Sequence, residues 1–397
     1  MKKLLSFRNL ILALVLSLAT GCAISFKKKH WDLPPKADNE VSVMSFNVEN
    51  LFDTVHDEDR NDYAYLPYMV KKTNPKYQQA CKEINADNSY RLNECLSTDW
   101  NDAQLDQKLK NLSEVVLNVD TNGPDVLMLI EVENINVLNI WNKNYLQKAG
   151  YQTVVLIEGP DKRGIDVGFM SRFPLVGKPV LHPIPWKPKN EEDKKWMEQS
   201  RNVLEVTVKA PNGDPLTFLV AHFPSQANPT YWRQQAAEFV TKLIKEKGPN
   251  TMVMAGGDLN ISAEEEDKEH IFRDILAKGG AVSHFVGCKE CPGTHNYRKS
   301  WSFLDAHIYG PALLAEGAGS YQMEPNTIDV IRYNDVHLKK GKYPKRWDYD
   351  KLEGVSDHFP LYVRLKQRGP AKTPVQEPAP KTEVKKETPK KKAKSKK

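Results

Sequence analysis

Apolar runs of strand length repeatedly deliver this chain onto oxygen- or imidazole-bearing side chains, and that arrangement restricts the fold more than any other feature. VSVMSFNV (41–48) alternates like a strand and ends at Asn47, with Glu49 just beyond, while DVLMLIEV (125–132) is a continuous apolar run closing on Glu131. FLVAHF (218–223) carries His222, the run at 251–256 leads into Gly257-Asp258-Leu259-Asn260, and Ser356-Asp357-His358-Phe359-Pro360 opens a run at 359–365. Alternation reads as a half-buried strand and an unbroken apolar run as a strand buried on both faces. Further strands are expected at 152–157, 166–171, 203–209, 215–223 and 300–308, and Pro211-Asn212-Gly213-Asp214 reads as a hairpin turn. Leu105, Leu109, Leu112 and Val116 predict a helix over 102–119. A second over 229–246 has Pro229 near its first turn, Ala236, Phe239, Val240 and Leu243 on one face, and Gly248 as its stop. Strands outnumber helices and mix hairpins with helical crossovers, so the pattern calls for an α/β sandwich whose mixed sheets lie between helical layers.

The polar clusters run from Asn47 to His358, so their convergence on one site requires one large domain, which 397 residues permit. A glutamate finishing a buried run, such as Glu131, is costly without a cation or a partner. Glu131 and Asp357 are the expected ligands of a hard divalent cation, with Glu133 the runner-up, and His222 and His358 are imidazoles suited to proton transfer.

In their order these motifs resemble the endonuclease/exonuclease/phosphatase superfamily, the group that contains deoxyribonuclease I, the apurinic endonucleases and the sphingomyelinases. The resemblance spans residues 41–366. It implies a deoxyribonuclease I-like, four-layer α/β sandwich of two mixed β-sheets flanked by helices. It further implies that Asn47, Glu131 and Asp357, joined in some members by Glu49, hold Mg²⁺, with Mn²⁺ or Ca²⁺ as substitutes. His222 is assigned to catalysis or phosphate binding, Asp258 to the attacking water, and Asn260 to a phosphate oxygen. Asp305, within GTHNYRKSWSFLDAHIYG, is expected to fix the tautomer of His358, which contacts phosphate and moves a proton. RGIDVGFMSRFPL places Asp166 where it would orient His222, the alternative being an ion pair with Arg163 or Arg172. The implied reaction is phosphodiester hydrolysis, with DNA or RNA as substrate. Phospholipid or sugar-phosphate substrates remain open, as does a catalytically idle envelope protein that uses the fold for binding; no protein partner is expected.

Met1-Lys2-Lys3, an apolar stretch from Leu10 to Leu18 and Ala19-Thr20-Gly21-Cys22 read as an export signal too short for a comfortable membrane span. The ending resembles a bacterial lipobox, although Ala19 stands where Leu is preferred. It implies removal of residues 1–21 and a lipid on Cys22, hence a cell-envelope lipoprotein in the outer membrane or facing the periplasm. An ordinary signal peptide is the alternative. Residues 22–40 read as a tether, 54–101 as an insertion of no evident role, and 367–397, rich in Pro, Lys, Glu and Thr without aromatics, as a disordered tail. Of the net charge of +6, the leader carries three and Arg368–Lys397 eight, which leaves the residues between at −5. The tail reads as a solubility device or as electrostatic attachment to nucleic acid or an anionic envelope surface. Four cysteines besides Cys22 make an even count, and Cys81 with Cys95 and Cys288 with Cys291 is the simplest of three connectivities. The Cys288–Cys291 spacing also fits zinc or redox chemistry, with His295 the one further soft ligand nearby.

Overall fold

Side-chain parity along β1 (Glu40–Leu51) sets the layering: Val41 and Val43 lie in one buried cluster, and Met44, Phe46 and Val48 lie in another. A strand apolar on both faces must be central, and β1 is flanked on both sides. β2 (Val126–Val132) runs parallel to it, and β3 (Thr153–Leu156) and β4 (Asp166–Ser171) extend that side of the sheet by antiparallel pairing. The chain then builds a second sheet from β5 (Val180–His182), β6 (Val203–Lys209), β7 (Pro215–His222), β8 (Val253–Asp258) and β9 (Ala281–Val282). The hairpin of β10 (His295–Tyr297) and β11 (Ser300–Ser302) follows, and β12 (Asp305–Tyr309) returns between β8 and β9. The first sheet is completed by β13 (Tyr321–Met323) and β14 (Asp329–Val330). After a short ladder of β15 (Leu338–Lys339) with β16 (Tyr343–Pro344), β17 (Leu361–Gln367) pairs antiparallel with β1. Both large sheets are mixed, of seven and six strands, with orders β13-β17-β1-β2-β4-β3 and β5-β6-β7-β8-β12-β9.

The structure, a computed structural model, describes residues 33–369. The leader, Cys22 with its expected lipid, most of the tether and the tail from residue 370 lie outside the described residues. The chain divides after Gln367, and the sandwich belongs to the part before that point.

Three apolar layers hold the sandwich. Val43, Met128, Ile130, Phe169, Phe218, Val220 and Met254 fill the space between the sheets. The helices Asp102–Leu117 and Ile135–Tyr145 cover the outer face of the first sheet, where Leu109, Leu112, Val116, Leu138 and Trp141 are fully buried. The helix Thr230–Glu246 covers the second sheet with Ala236, Ala237, Val240 and Ile244. The fold is therefore the expected four-layer sandwich.

Two local expectations change. The run 300–308 breaks into β11 and β12 at Phe303-Leu304, because Leu304 turns its carbonyl to the Leu259 N–H at 2.7 Å and the Asp305 N–H donates to the Thr294 hydroxyl at 3.0 Å. The β6–β7 hairpin forms through a five-residue loop in which Gly213 alone of the Asn-Gly pair takes positive φ, at 96°. The insertion folds as the helices Tyr68–Thr73, Pro75–Ile84 and Ser89–Ser97, with Cys81 bonded to Cys95 across the last two. Buried Lys71 ties it together from within, donating to the carbonyls of Ala64, Cys95 and Thr98. Cys288 is bonded to Cys291, so both local pairings form and neither sulfur of the Cys-x-x-Cys pair remains a thiolate for zinc.

Candidate active site

Register and parity assemble the polar clusters at one end of the space between the sheets. On the second sheet His222 pairs with Asp258, and Asp258 with Asp305, so three adjacent strands carry them at one level. Phe218 and Val220 face the opposite sheet, and so therefore does His222, two residues on; Met254 gives the same parity to Asp258, and Tyr309 to Asp305. On the first sheet Val41 and Val43 assign Asn47 to the same interior, and its amide crosses to Asp258 Oδ2 at 3.0 Å and to Glu131 Oε1 at 3.2 Å.

Glu131 reaches the site by breaking its strand. Val126, Met128 and Ile130 face the opposite sheet while Leu127 and Leu129 face the helices, so regular alternation would bury Glu131 in the apolar helical layer. Instead it takes φ of 65°, the pairing slips between Ile130 and Val132, and its carboxylate accepts from the Asn50 N–H at 3.0 Å and from Asn47. Glu49, Asn50 and Asn260 also hold positive φ, at 52°, 53° and 51°. Each such non-glycine residue costs about 1–2 kcal/mol, and strain of this kind clusters at functional sites. Gly257 is required for a different reason: at φ of 135° a Cβ would stand 2.1 Å from the Ala221 carbonyl oxygen, between the strands that carry His222 and Asp258.

The electrostatics separate the two imidazoles. His358 Nδ1 lies 2.7 Å from Asp305 Oδ2, with both groups buried. Burial alone would depress His358, but Asp305 and then Asp258 outweigh it and hold the imidazolium well above the usual histidine range. His222 is driven the other way, first by burial and then by Arg201, Arg163 and His358. The Arg201 guanidinium lies 2.8 Å from His222 Nε2. Because arginine can only donate, Nε2 is the acceptor and Nδ1 carries the proton. Between them stands Asp258, with Oδ2 at 3.6 Å from His222 Nε2 and 3.8 Å from His358 Nε2. Burial is the main cause of its carboxyl being pushed up to about 7, with Asp305 and Glu131 adding to the rise and His358 opposing it. Its other oxygen accepts from the Asn260 N–H at 2.9 Å, and one amide hydrogen of Asn260 is spent on the Phe223 carbonyl.

The structure thus brings together Asn47, Glu131, His222, Asp258, Asn260, Asp305 and His358, with Asp357 at the rim, its side chain 25% exposed. Two expected positions differ. Asp166 does not reach His222: Val167 and Phe169 face the opposite sheet, so Asp166 points to the other side, where its Oδ1 accepts from the Gly159 N–H at 2.9 Å. Neither alternative partner holds it, since Arg163 pairs with Asp161 and Arg172 with Asp125. Glu49 is turned from the site's opening, because its buried carboxylate is already matched by the Arg346 guanidinium, Nε at 2.6 Å, and accepts from the Trp347 N–H at 3.1 Å. Its carboxyl is pushed up to about 7 by burial and by Asp357, against the pull of Lys108 and Arg346.

Three residues at the site were missed, Arg201, Lys108 and Arg346, while His295, expected near the Cys288–Cys291 pair, packs against His358. The hairpin register that pairs Leu204 with Val220 carries Arg201 to the level of His222 and Phe223, so Arg201 was within reach of sequence reasoning. Lys108, buried and donating to the Glu49 carbonyl, sits on the apolar face of its helix, three residues after Leu105 and four before Leu112. That signal was also present. Arg346 comes from a long connection that no periodicity marks.

A family model described as endonuclease/exonuclease/phosphatase family matches residues 84–367. No curated protein matches. Among solved structures, D. rerio TDP2 complexed with a single-strand DNA product is 17% identical, with a TM-score of 0.50, covering 83% of this chain and all of that one. An endonuclease/exonuclease/phosphatase family protein of Bacteroides thetaiotaomicron is 15% identical, with a TM-score of 0.48 and coverage of 85% and 100%. A mannosyl-6-phosphatase of the same organism is 15% identical, with a TM-score of 0.46 and coverage of 82% and 99%. At such identities the likeness is one of fold.

Proposed function

Because the chain belongs to the endonuclease/exonuclease/phosphatase family, we propose that it hydrolyses phosphodiester bonds of DNA or RNA with a divalent cation, Mg²⁺ in the first place, and that it does so in the cell envelope. The observation that carries the reading is the placing of Asp258 between two imidazoles with opposite partners, His358 on the Asp305 carboxylate at 2.7 Å and His222 on the Arg201 guanidinium at 2.8 Å. A carboxylate and an imidazole whose surroundings drive their proton affinities apart, here Asp258 and His358, are suited to act as base and acid.

The residues suit a hard cation. Glu131 and Asp357 offer the partly exposed carboxylates of the site, at 20% and 25%, with buried Asn47 beside Glu131, and Arg346 and Lys108 lie close enough to act electrostatically on the carboxylates of Glu49, Asp357 and Glu131. A cation held there supplies neutralisation of the phosphoryl oxygens as charge develops. Asp258, with a carboxyl near neutrality, takes the proton of the attacking water. His358, held as the imidazolium by Asp305, gives a proton to the leaving oxygen. Arg201, anchored to Asp161 at 3.4 Å and donating to His222 Nε2, sets its guanidinium, a planar donor matched to phosphate, beside the site for a non-bridging oxygen.

A polymeric substrate is favoured by what surrounds this centre. The β10–β11 hairpin, whose His295 packs against His358, ends in exposed Tyr297, Arg298 and Lys299, the last two at φ of 46° and 76°. An aromatic face beside two cations suits a base stacked next to its phosphates. The leader and two disulfide-bonded pairs favour an oxidising envelope compartment over the cytoplasm. The test is a panel of DNA, RNA, phospholipid and sugar phosphate offered to the purified protein with Mg²⁺, Mn²⁺, Ca²⁺ or chelator. Cleavage of DNA or RNA that chelator abolishes is expected. Hydrolysis confined to phospholipid or small esters would refute the nucleic-acid assignment.

A further inference from the structure

His295, Asp357 and His358 each offer one ligand atom, and the three atoms lie within 4.8 Å of one another. We propose that they form a second metal site, for a borderline transition ion of the Zn²⁺ class, and that its occupation inhibits hydrolysis. The binding goes beyond the proposed function; only the inhibition rests on it.

The donor set selects the ion. Two imidazole nitrogens and one carboxylate oxygen suit Zn²⁺, whereas Mg²⁺ prefers oxygens and water. Beside Glu131 the one imidazole, His222, has its Nε2 engaged by Arg201 at 2.8 Å, which leaves the oxygens of Glu131 and Asp258. The nitrogens also lack protein partners, and His358 binds by giving up its Nε2 proton. His358 Nε2 makes no hydrogen bond among the described residues, its nearest carboxylate oxygen being 3.8 Å away on Asp258, and the His295 ring nitrogens make none either. The two rings stand 4.8 Å apart between centroids, and the backbones of His295 and His358 pair directly, a contact tightened by the Phe359 N–H on the Thr294 carbonyl at 2.7 Å.

Support behind the ligands completes the site. A metal-binding histidine almost always gives its other ring N–H to a carboxylate, a carbonyl or water, which fixes the ring and strengthens the ligand. His358 Nδ1 has that partner in Asp305 at 2.7 Å. A tetrahedral ion with bonds of about 2.0–2.2 Å brings its ligand atoms to about 3.3 Å from one another. Binding therefore draws the three inward from their present limit of 4.8 Å. The movement falls to Asp357, 25% exposed and reached by Arg346 at 3.7 Å, and to His295 at the edge of a two-stranded hairpin, while His358 stays anchored. A metal on Nε2 displaces the proton that His358 would otherwise give to the leaving oxygen, and it draws Asp357 away from the Mg²⁺ ligands. The consequence is inhibition.

The experiment titrates tag-free protein with Zn²⁺ alone, without reductant so that the four cysteines stay bonded, and follows binding by calorimetry. One ion per chain is expected. His295→Ala, or His295→Gln if the first fails to fold, should weaken it at least about tenfold, while Glu131→Gln should bind Zn²⁺ as the unaltered protein does. Wild-type Zn²⁺ affinity in a folded His295 variant would overturn the site whether or not any substrate is cleaved. Where Mg²⁺-dependent cleavage is measured, Zn²⁺ should inhibit the unaltered protein and spare His295→Ala. Equal inhibition of both would overturn the regulatory claim.

Discussion

Asp305→Asn is the substitution from which most can be computed. The pair it alters is buried on both sides, with Asp305 at 0% exposure and His358 at 5%, and its bond of 2.7 Å is shielded from salt. Asparagine keeps the shape and an acceptor oxygen but removes the charge. A charge-assisted hydrogen bond is worth about 1.5–3 kcal/mol against about 0.5–1.5 for a neutral one, so the imidazolium loses about 1–2 kcal/mol, or about one pKa unit. Loss of a general acid costs about 10²–10⁴-fold in rate. Histidine NMR titration should therefore show His358 losing its proton at lower pH, and the alkaline limb of the pH–rate profile should move down with it. Stability should follow. A histidine raised in the folded state stabilises fully below its unfolded value near 6.5, and that stabilisation is lost as pH rises through the folded value. The melting temperature of the unaltered protein should fall as pH climbs above about 6.5, and the fall should be shallower in Asp305→Asn. An unmoved His358 titration together with a rate within about threefold of normal would refute the assignment of Asp305 as the residue that positions and charges His358.

Three further outcomes are expected. Gly257→Ala drives a Cβ to 2.1 Å from the Ala221 carbonyl and should cost more than about 4 kcal/mol, read in urea melts; a loss under about 1 kcal/mol would contradict the close approach of β7 and β8. Replacing Cys81 and Cys95 by serine opens a bridge between residues 14 apart, worth about 3 kcal/mol in the loop-closure account, and should speed hydrogen exchange across residues 68–97 while the sheets stay protected; unchanged exchange there would show that the bridge does not hold the insertion. Deleting Arg368–Lys397, which carries a net +8, should raise KM for long DNA and flatten its salt dependence by about 0.9 in log–log slope for each phosphate that the tail no longer neutralises, with a short diester cleaved as before; an unchanged slope would remove the tail from substrate attraction.

The layers were legible because apolar periodicity is a local property: β4 and β6 fall on the stretches that their runs predicted, whereas β1, whose alternation over 41–48 reads as a half-buried strand, is buried on both faces. Asn47, Glu131, His222 and Asp258 were legible because each finishes such a run. Asp166 was misread because its place in a motif was given more weight than its parity, and Val167 and Phe169 already assigned it to the helical side. The reversal at Glu131 could not be read, since it arises from contacts with Asn47 and Asn50 on a strand about 80 residues earlier. The capture of Glu49 by Arg346 spans 297 residues, and no periodicity links the two. Positions fixed by strand pattern were readable, and partnerships made across loops were not.

Everything proposed for the reaction depends on a divalent ion held partly by Glu131 and required for phosphodiester hydrolysis. The decisive measurement pairs Mg²⁺ calorimetry with DNA cleavage for the unaltered protein and for Glu131→Gln, each shown folded by circular dichroism. Weaker Mg²⁺ binding and near-abolished cleavage are expected in the variant. Unchanged Mg²⁺ affinity with undiminished cleavage would contradict a metal role for Glu131.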